Sequence, residues 1–379
     1  MIKVVYIVPL LAPYAIPRYQ ELAKNENIEL HVVVEKDTNL GRSGWRFQKI
    51  EGVKTHLLKG TMSKNYGIQK GIGSYKMDAV RLISFGLKSA IRKINPDIVL
   101  ACNATQIMML MGKRRYKVGL VVEDTIKSVE GRSAINSFVK RVMFKSADFY
   151  IPLTEDAVKF LKFNGIVGPF IKSTWSIDVD FFRDLSVEEI IRKKKEFGMI
   201  KPNNYVLTAS LTPRKGILQL LDGWKEMNKE FHRNSDLFIL GDGILEKEIR
   251  KYISDYCLGN VRLVGNKSYI DVSHYLQCAD VFILPTLEDL CSLSVLEAMA
   301  ARKPVLTTIY NGARQFVIDG INGYIFNPLD KENIIKMLEK IKQTDLYKMS
   351  MESSKMIEAY STKKVMEAFA EDLLTISKY

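Results

Sequence analysis

Short, almost wholly apolar runs recur along the chain, each followed by a longer stretch in which apolar residues return every three or four positions. In the first half the runs are KVVYIVPL, IELHVVVE, DIVLACN, VGLVVED and ADFYIPL; in the second they are YVLTASL, DLFILGD, VRLVG, VFILPT and PVLTT. A run apolar at successive positions is a strand covered on both faces, and strands that alternate with helices pair in parallel. The pattern predicts an α/β fold with one doubly wound parallel sheet in each half. The polar and aromatic stretch STWSIDVDFFRD, residues 173–184, is the expected junction, giving domains of residues 1–172 and 173–360. KMDAVRLISFGLKSAIRKI predicts a helix with Met77, Val80, Leu87, Ile91 and Ile94 on one stripe. RSAINSFVKRVMFK predicts another, mixing apolar residues with Lys140, Arg141 and Lys145, and STKKVMEAFAEDLLTISKY a last one whose Val365, Phe369 and Leu373 are buried.

Composition agrees with two ordinary globular domains. At 379 residues the chain exceeds what one core organises, and 47% hydrophobic with 26% charged residues is an unremarkable balance. No apolar run approaches the ~20 residues of a membrane-spanning helix, and MIKVVYIVPL lacks the features of a signal peptide, so a cytoplasmic protein is expected. Cys102, Cys257, Cys278 and Cys291 have neither metal-site spacing nor histidine companions, which argues against zinc and disulfides alike. Charge changes the picture more. Residues 1–180 hold 28 Lys and Arg against 16 Asp and Glu, while residues 181–379 hold 28 against 27. The excess sits in the first half and points to an anionic partner there: an acidic membrane surface rather than nucleic acid, for which no binding motif accompanies the charge.

The candidate chemistry lies in PTLEDLCSLSVLEAMAA, where Glu288, Asp289 and Glu297 surround a helix start. Carboxylates accept charge-assisted hydrogen bonds from sugar hydroxyls, and helix amides with a lysine hold a diphosphate. VFILPTLEDLCSLSVLEAMAARKPVLTT resembles the donor-site signature of the retaining glycosyltransferases of family 4, enzymes of the GT-B fold with two facing Rossmann-like domains. YVLTASLTPRKGILQLLDGW, LFILGDGILEKEIRKY, NVRLVGN and NGARQFVIDGINGYIFNPLD are similar to that family's other pieces, in its order. The resemblance implies a nucleoside diphosphate sugar as donor, a glycan or lipid-linked acceptor, retention at the anomeric carbon, no metal and no cofactor. It also implies that residues 361–379 return to the first domain.

Residue by residue, the resemblance makes Lys215 the diphosphate lysine, Asp289 the donor-sugar acid and Glu297 the ribose acid, with Glu288 a loop acid. Ser210, Arg214, Gly216, Gly243 and Gly265 fall around the same donor. Cys291, Ser292, Leu293 and Ser294 fall at the helix start. Ser294-x-x-Glu297 also reads as a capping box, which would make Glu297 structural. On the acceptor side, Asp124 in VVEDTIKS is the candidate to meet an acceptor hydroxyl, or else to cap a helix. Gly241-Asp242-Gly243 is half of a dinucleotide fingerprint whose third glycine is missing, so it reads as a tight turn. The sequence departs from the family at Ala209-Ser210, where a second cation is usual, and at Leu290-Cys291-Ser292-Leu293. Two other classes stay open: a sugar-nucleotide epimerase of the same architecture, and a non-catalytic GT-B partner subunit.

Overall fold

The computed structural model of the protein describes all residues except 38–45, 60, 71–75, 127–133, 172–174 and 379, and only the backbone of 61–70, 76–82, 134–137 and 139. Arg132 and Ser133 of the second expected helix, and Ser173 and Thr174 of the expected junction, lie outside the described residues. The chain divides into two units, Met1–Ile68 with Asp78–Ser176 and Thr362–Tyr379, and Gln69–Met77 with Ile177–Ser361.

In chain order the first part contains β1 (Ile2–Val8), α1 (Ile16–Ala23), β2 (Ile28–Val34), β3 (Lys54–Leu57), β4 (Thr61–Lys70), β5 (Lys76–Ser84), α2 (Leu87–Ile94), β6 (Ile98–Ala101), α3 (Ala104–Leu110), β7 (Lys117–Val122), α4 (Ala134–Lys145), β8 (Phe149–Pro152) and α5 (Glu155–Phe163). Its sheet runs β3-β2-β1-β6-β7-β8, parallel throughout. Strands β6 and β8 are buried at every position, as continuous apolar runs require. One expected helix is corrected. Met77 and Val80 lie on β5, which pairs with β4 in a small separate sheet, and the helix begins only at Leu87 after Gly86 turns the chain through a left-handed conformation (φ 87°).

The second unit contains α6 (Val187–Phe197), β9 (Asn203–Thr208), α7 (Ile217–Lys225), α8 (Lys229–Asn234), β10 (Ser235–Leu240), α9 (Glu246–Asp255), β11 (Val261–Gly265), α10 (Tyr269–Cys278), β12 (Val281–Ile283), α11 (Leu293–Ala300), β13 (Val305–Thr308), β14 (Gly323–Phe326), α12 (Lys331–Lys342) and α13 (Leu346–Ile357). Its sheet, β11-β10-β9-β12-β13-β14, is also parallel throughout. Each sheet has one strand more than the apolar runs predict, β3 and β14. β3 escapes notice because its four positions are half-buried or exposed. The last helix, α14 (Thr362–Ser377), belongs to the first unit, buries Val365, Phe369 and Leu373, and packs against α1. Lys117 at the start of β7 donates to the Ile376 carbonyl at 2.9 Å.

In both sheets the strand order reverses beside the first strand of the unit, between β1 and β6 and between β9 and β12. Loops leaving the carboxyl ends on either side of such a reversal part and open a crevice, the usual ligand position in doubly wound folds.

Candidate functional site

In the second unit the loops after β9 and β12 meet at this reversal. The first carries Thr212-Pro213-Arg214-Lys215-Gly216, whose proline starts a single 3-10 turn. Gly216 sits at φ 66°, and a Cβ there would stand 2.0 Å from the Pro285 carbonyl oxygen, so only glycine lets the loops approach. Leu287 N and Thr286 Oγ1 both donate to the Arg214 carbonyl, at 2.8 and 3.0 Å.

These bonds place Lys215 and Arg214 against Asp289. Lys215 Nζ forms a close ion pair with Asp289 Oδ2, and Arg214 Nη1 lies 3.5 Å from the same oxygen while donating to the Glu288 carbonyl at 3.1 Å. The Lys215 and Asp289 side chains are only 9% and 13% exposed, so the pair is largely out of water. Burial works against the Asp289 carboxylate, but Lys215 and then Arg214 outweigh it and hold its pKa below the ordinary value. Ser292 also hydrogen-bonds Asp289. Because Ser292 is the N-cap of α11, one carboxylate links the cations to that helix start.

Helix α11 has no side-chain cap, which leaves amides of its first turn, at Leu293 and Ser294, turned to whatever occupies the loop. Ser292 is buried, its amide donating to Asn311 Oδ1 at 3.3 Å and its hydroxyl 3.1 Å from that of Ser294, while Cys291 is half-buried. The capping-box reading of Glu297 is corrected here. With Ser292 at the N-cap, Ser294 is already inside the helix and Glu297 lies a turn deeper, out of reach of a cap. Glu297 is buried instead, and burial pushes its pKa up to about 7 against an opposing hydrogen bond from Tyr269. The Tyr269 ring stacks on Phe181 at 5.0 Å and 14°.

A carboxyl whose pKa is raised by burial weakens the fold wherever the unfolded chain gives up the proton that the folded state keeps. The penalty is absent below the ordinary 4.5, grows as pH rises, and is complete above about 7. Glu297→Gln is therefore expected to raise Tm at about pH 8 and to leave it near wild type at about pH 4.5. Calorimetry at the two pH values checks this, and a lower Tm at about pH 8 would show an ionised, stabilising Glu297.

The remaining predicted positions stand at neighbouring strand ends. Ser210 is exposed after β9, its carbonyl accepting from Thr212 N at 2.8 Å. Leu211 N donates to the Asp242 carbonyl at 2.7 Å, tying the loop after β10 to the loop after β9. A Cβ on Gly243 would stand 2.5 Å from the Leu211 oxygen, and Gly265, at φ 80°, ends β11 beside open space. Glu288 is half-buried. Asp124 belongs to the first unit, where it is ion-paired with Lys140 at 2.7 Å, under an ammonium that also lies 5.2 Å from the Phe144 ring.

Two contributors escaped sequence reasoning. Tyr269 lies far along the chain from Glu297. Asn311 is fully buried, bonding Thr307 Oγ1 at 2.9 Å, Ala313 N at 3.0 Å and Ser292 N, and so props the Asp289 loop from β13. Asp289 N donates to the Tyr310 carbonyl at 3.2 Å and Gly312 N to the Asp289 carbonyl at 2.9 Å. The Asn311-Gly312 dipeptide, a strong turn signal, was the available clue.

Residues 188–364 match the family described as glycosyl transferases group 1. The chain is 29% identical over 153 residues to an uncharacterized glycosyltransferase of Methanocaldococcus jannaschii, covering 40% of this chain and 41% of that protein. It is 27% identical over 175 residues to the lipopolysaccharide 1,2-N-acetylglucosaminetransferase of Salmonella typhimurium (43% and 46%), and 30% identical over 170 residues to the alpha-monoglucosyldiacylglycerol synthase of Acholeplasma laidlawii (43% and 41%). The match thus spans less than half the length of these relatives. Among solved structures, sucrose-phosphate synthase from Thermosynechococcus elongatus superposes with a TM-score of 0.77 at 13% identity, covering 99% of both chains. HepE of Anabaena in complex with UDP gives 0.76 at 14%, covering 98% of this chain and 100% of that one.

Proposed function

We propose that the protein, whose residues 188–364 match the glycosyl transferases group 1 family and whose fold is GT-B, is a retaining glycosyltransferase of family 4. It moves a sugar from a nucleoside diphosphate sugar to a hydroxyl of a glycan or lipid-linked acceptor, in the building of a surface polysaccharide or related glycan. The observation that carries the reading is the Lys215–Asp289 pair joined through Ser292 to the uncapped start of α11.

In this reading the diphosphate lies on the α11 amides and shares Lys215 with Asp289, and Arg214 takes the place of the second family cation. Asp289 accepts from a hydroxyl of the donor sugar and Glu297 from the ribose. As the bond between the anomeric carbon and the phosphate oxygen breaks, Lys215, Arg214 and the helix amides neutralise the leaving charge without a metal. The acceptor oxygen bonds to the anomeric carbon on the face being vacated, and its proton passes to the departing phosphate oxygen. No protein base is needed on this route. Asp124, paired with Lys140, then orients the acceptor rather than abstracting its proton.

Incubation with UDP-, GDP- and dTDP-sugars, scoring donor hydrolysis and thermal stabilisation, tests the proposal. One donor is expected to stabilise the protein by about 2.7 kcal/mol at a hundredfold excess over Kd and to be hydrolysed slowly. Binding without turnover, with or without an acceptor extract, favours the non-catalytic partner; interconversion of the sugar favours the epimerase.

We further propose that the first unit rests on an anionic leaflet. No helix among the described residues is long and apolar enough to cross a membrane. Helices α3 and α4 pack together and, with Met111 (40%) just past α3, expose Met108 (45%), Phe138 (66%) and Val142 (42%). Lys113, Arg115, Arg141 and Lys145 are exposed on the same segments. Apolar side chains amid basic ones suit an acidic lipid surface. Binding to vesicles is expected to rise with the anionic lipid fraction and fall with salt; equal partitioning onto neutral vesicles in a sedimentation assay refutes the idea.

A further inference from the structure

The first unit carries a second feature along the edge of its sheet. Between the edge strand β3 and helix α2 lies an open cavity of about 580 Å³, inside the ~300–1,000 Å³ of small-ligand sites. One wall is a histidine pair. His31 Nδ1 and His56 Nε2 are 2.9 Å apart with the rings parallel, and His31 Nε2 lies 2.8 Å from Glu29 Oε1. His31 is buried, on a strand where Val33, the next residue on the same face, packs into the core. Polar groups at such a depth need a reason, since desolvating them is unfavourable.

Four lysines line the same cavity: Lys3 on β1, Lys54 on β3, Lys59 just beyond it and Lys93 on α2. Glu29, the one carboxylate of the lining, is already taken. It bonds His31 and Lys54 Nζ at 3.0 Å, with Lys3 Nζ at 4.0 Å, and its pKa is held down to about 2 by these partners, His31 first. Among the described residues no carboxylate stands at ion-pair distance from Lys59 or Lys93. The first turn of α2 completes the wall, with Gly86 at its N-cap offering no side chain to cap the amides.

We propose that this cavity binds a small anion bearing a phosphate group, held chiefly by Lys59, Lys93 and His56, at a site separate from the Lys215–Asp289 loops of the second unit. A free phosphorylated metabolite and a lipid headgroup present the same chemistry to it. Binding is coupled to a proton. Burial, then His31 and Lys54, draw the His56 pKa below its ordinary value, and an anion among these groups opposes that pull. Affinity is therefore expected to strengthen as pH falls through the His56 range. Glu29, Lys3, Lys59 and Lys93 complete the set of charges facing the pair.

The chain has four histidines, so ring NMR signals of the full-length protein are assignable, with His56→Gln as the guide. Inorganic pyrophosphate is titrated in one arm and phosphatidylglycerol vesicles in the other. The His31 and His56 signals are expected to move, with the His56 pKa rising, while His232 and His274 stay in place. The exposed double variant Lys59→Ala/Lys93→Ala is expected to melt like wild type and to weaken the response about tenfold or more. Response to pyrophosphate in solution identifies a soluble ligand, and response to vesicles alone identifies a headgroup. Unmoved signals in both arms, or a double variant that responds like wild type, overturns the proposal.

Discussion

Lys215→Ala is expected to cost the second unit about 3–5 kcal/mol of stability and, with it, the hold on the nucleoside diphosphate. The stability loss follows from burial, not from the worth of the ion pair. Asp289 lies in a loop pinned by Arg214, Tyr310 and Asn311, and it cannot turn to water when its cation is removed. Arg214, 3.5 Å away and 31% exposed, compensates only in part. The two consequences separate in the double variant Lys215→Ala/Asp289→Asn, which leaves no buried charge. It is expected to recover most of the lost stability while still failing to bind the diphosphate. Calorimetry and nucleotide titration on wild type and both variants check this. A single variant that melts like wild type sinks the account of the pair as buried and mutually dependent.

The three acids are expected to respond differently. Asp289→Asn should lower kcat/KM about 10- to 150-fold by weakening the contact with the donor sugar. Free nucleoside diphosphate should bind at least as tightly as to wild type, because Lys215 no longer divides its charge. Glu297→Gln should weaken the donor and the free nucleoside diphosphate alike, since both carry the ribose. Glu288→Gln should change little, its carbonyl rather than its carboxylate being what Arg214 uses. If Glu288 proves the sensitive residue and Asp289 the tolerant one, the register of the acidic loop is off by one and the sugar contact moves to Glu288.

Much of the fold was legible because parallel strands declare themselves: buried on both faces, they must be apolar at consecutive positions. The edges were not. β3 is too exposed to show that signature, and Met77 and Val80 fell by chance on the period of the helix that starts at Leu87. At the site, the family resemblance marked Asp289, Glu297 and the Arg214-Lys215-Gly216 turn, and a strand, a tight loop and a helix start are what set such residues close along the chain. The burial of Glu297 could not be read this way. Its motif with Ser294 is genuine as a string, but the N-cap is Ser292, and a difference of two residues turns a cap into a buried acid. Tyr269 and Asn311 reach the site only through the sheet, and no local pattern announces a partner supplied by tertiary packing.

The path of the chain has a consequence of its own. Ile177, where the second unit's main segment begins, forms a parallel bridge with Ser361, where it ends, and donates to the Tyr360 carbonyl at 3.0 Å. The Ile177–Ser361 segment therefore begins and ends at a single doorway, as an insert does within a host that resumes at Thr362. A segment with coincident ends can be lifted out, permuted or exchanged for another by two cuts at one place. Under the proposed function this segment is a cartridge that carries the donor site, and recombination at the doorway is a physical route by which a chain of this plan would acquire a new sugar.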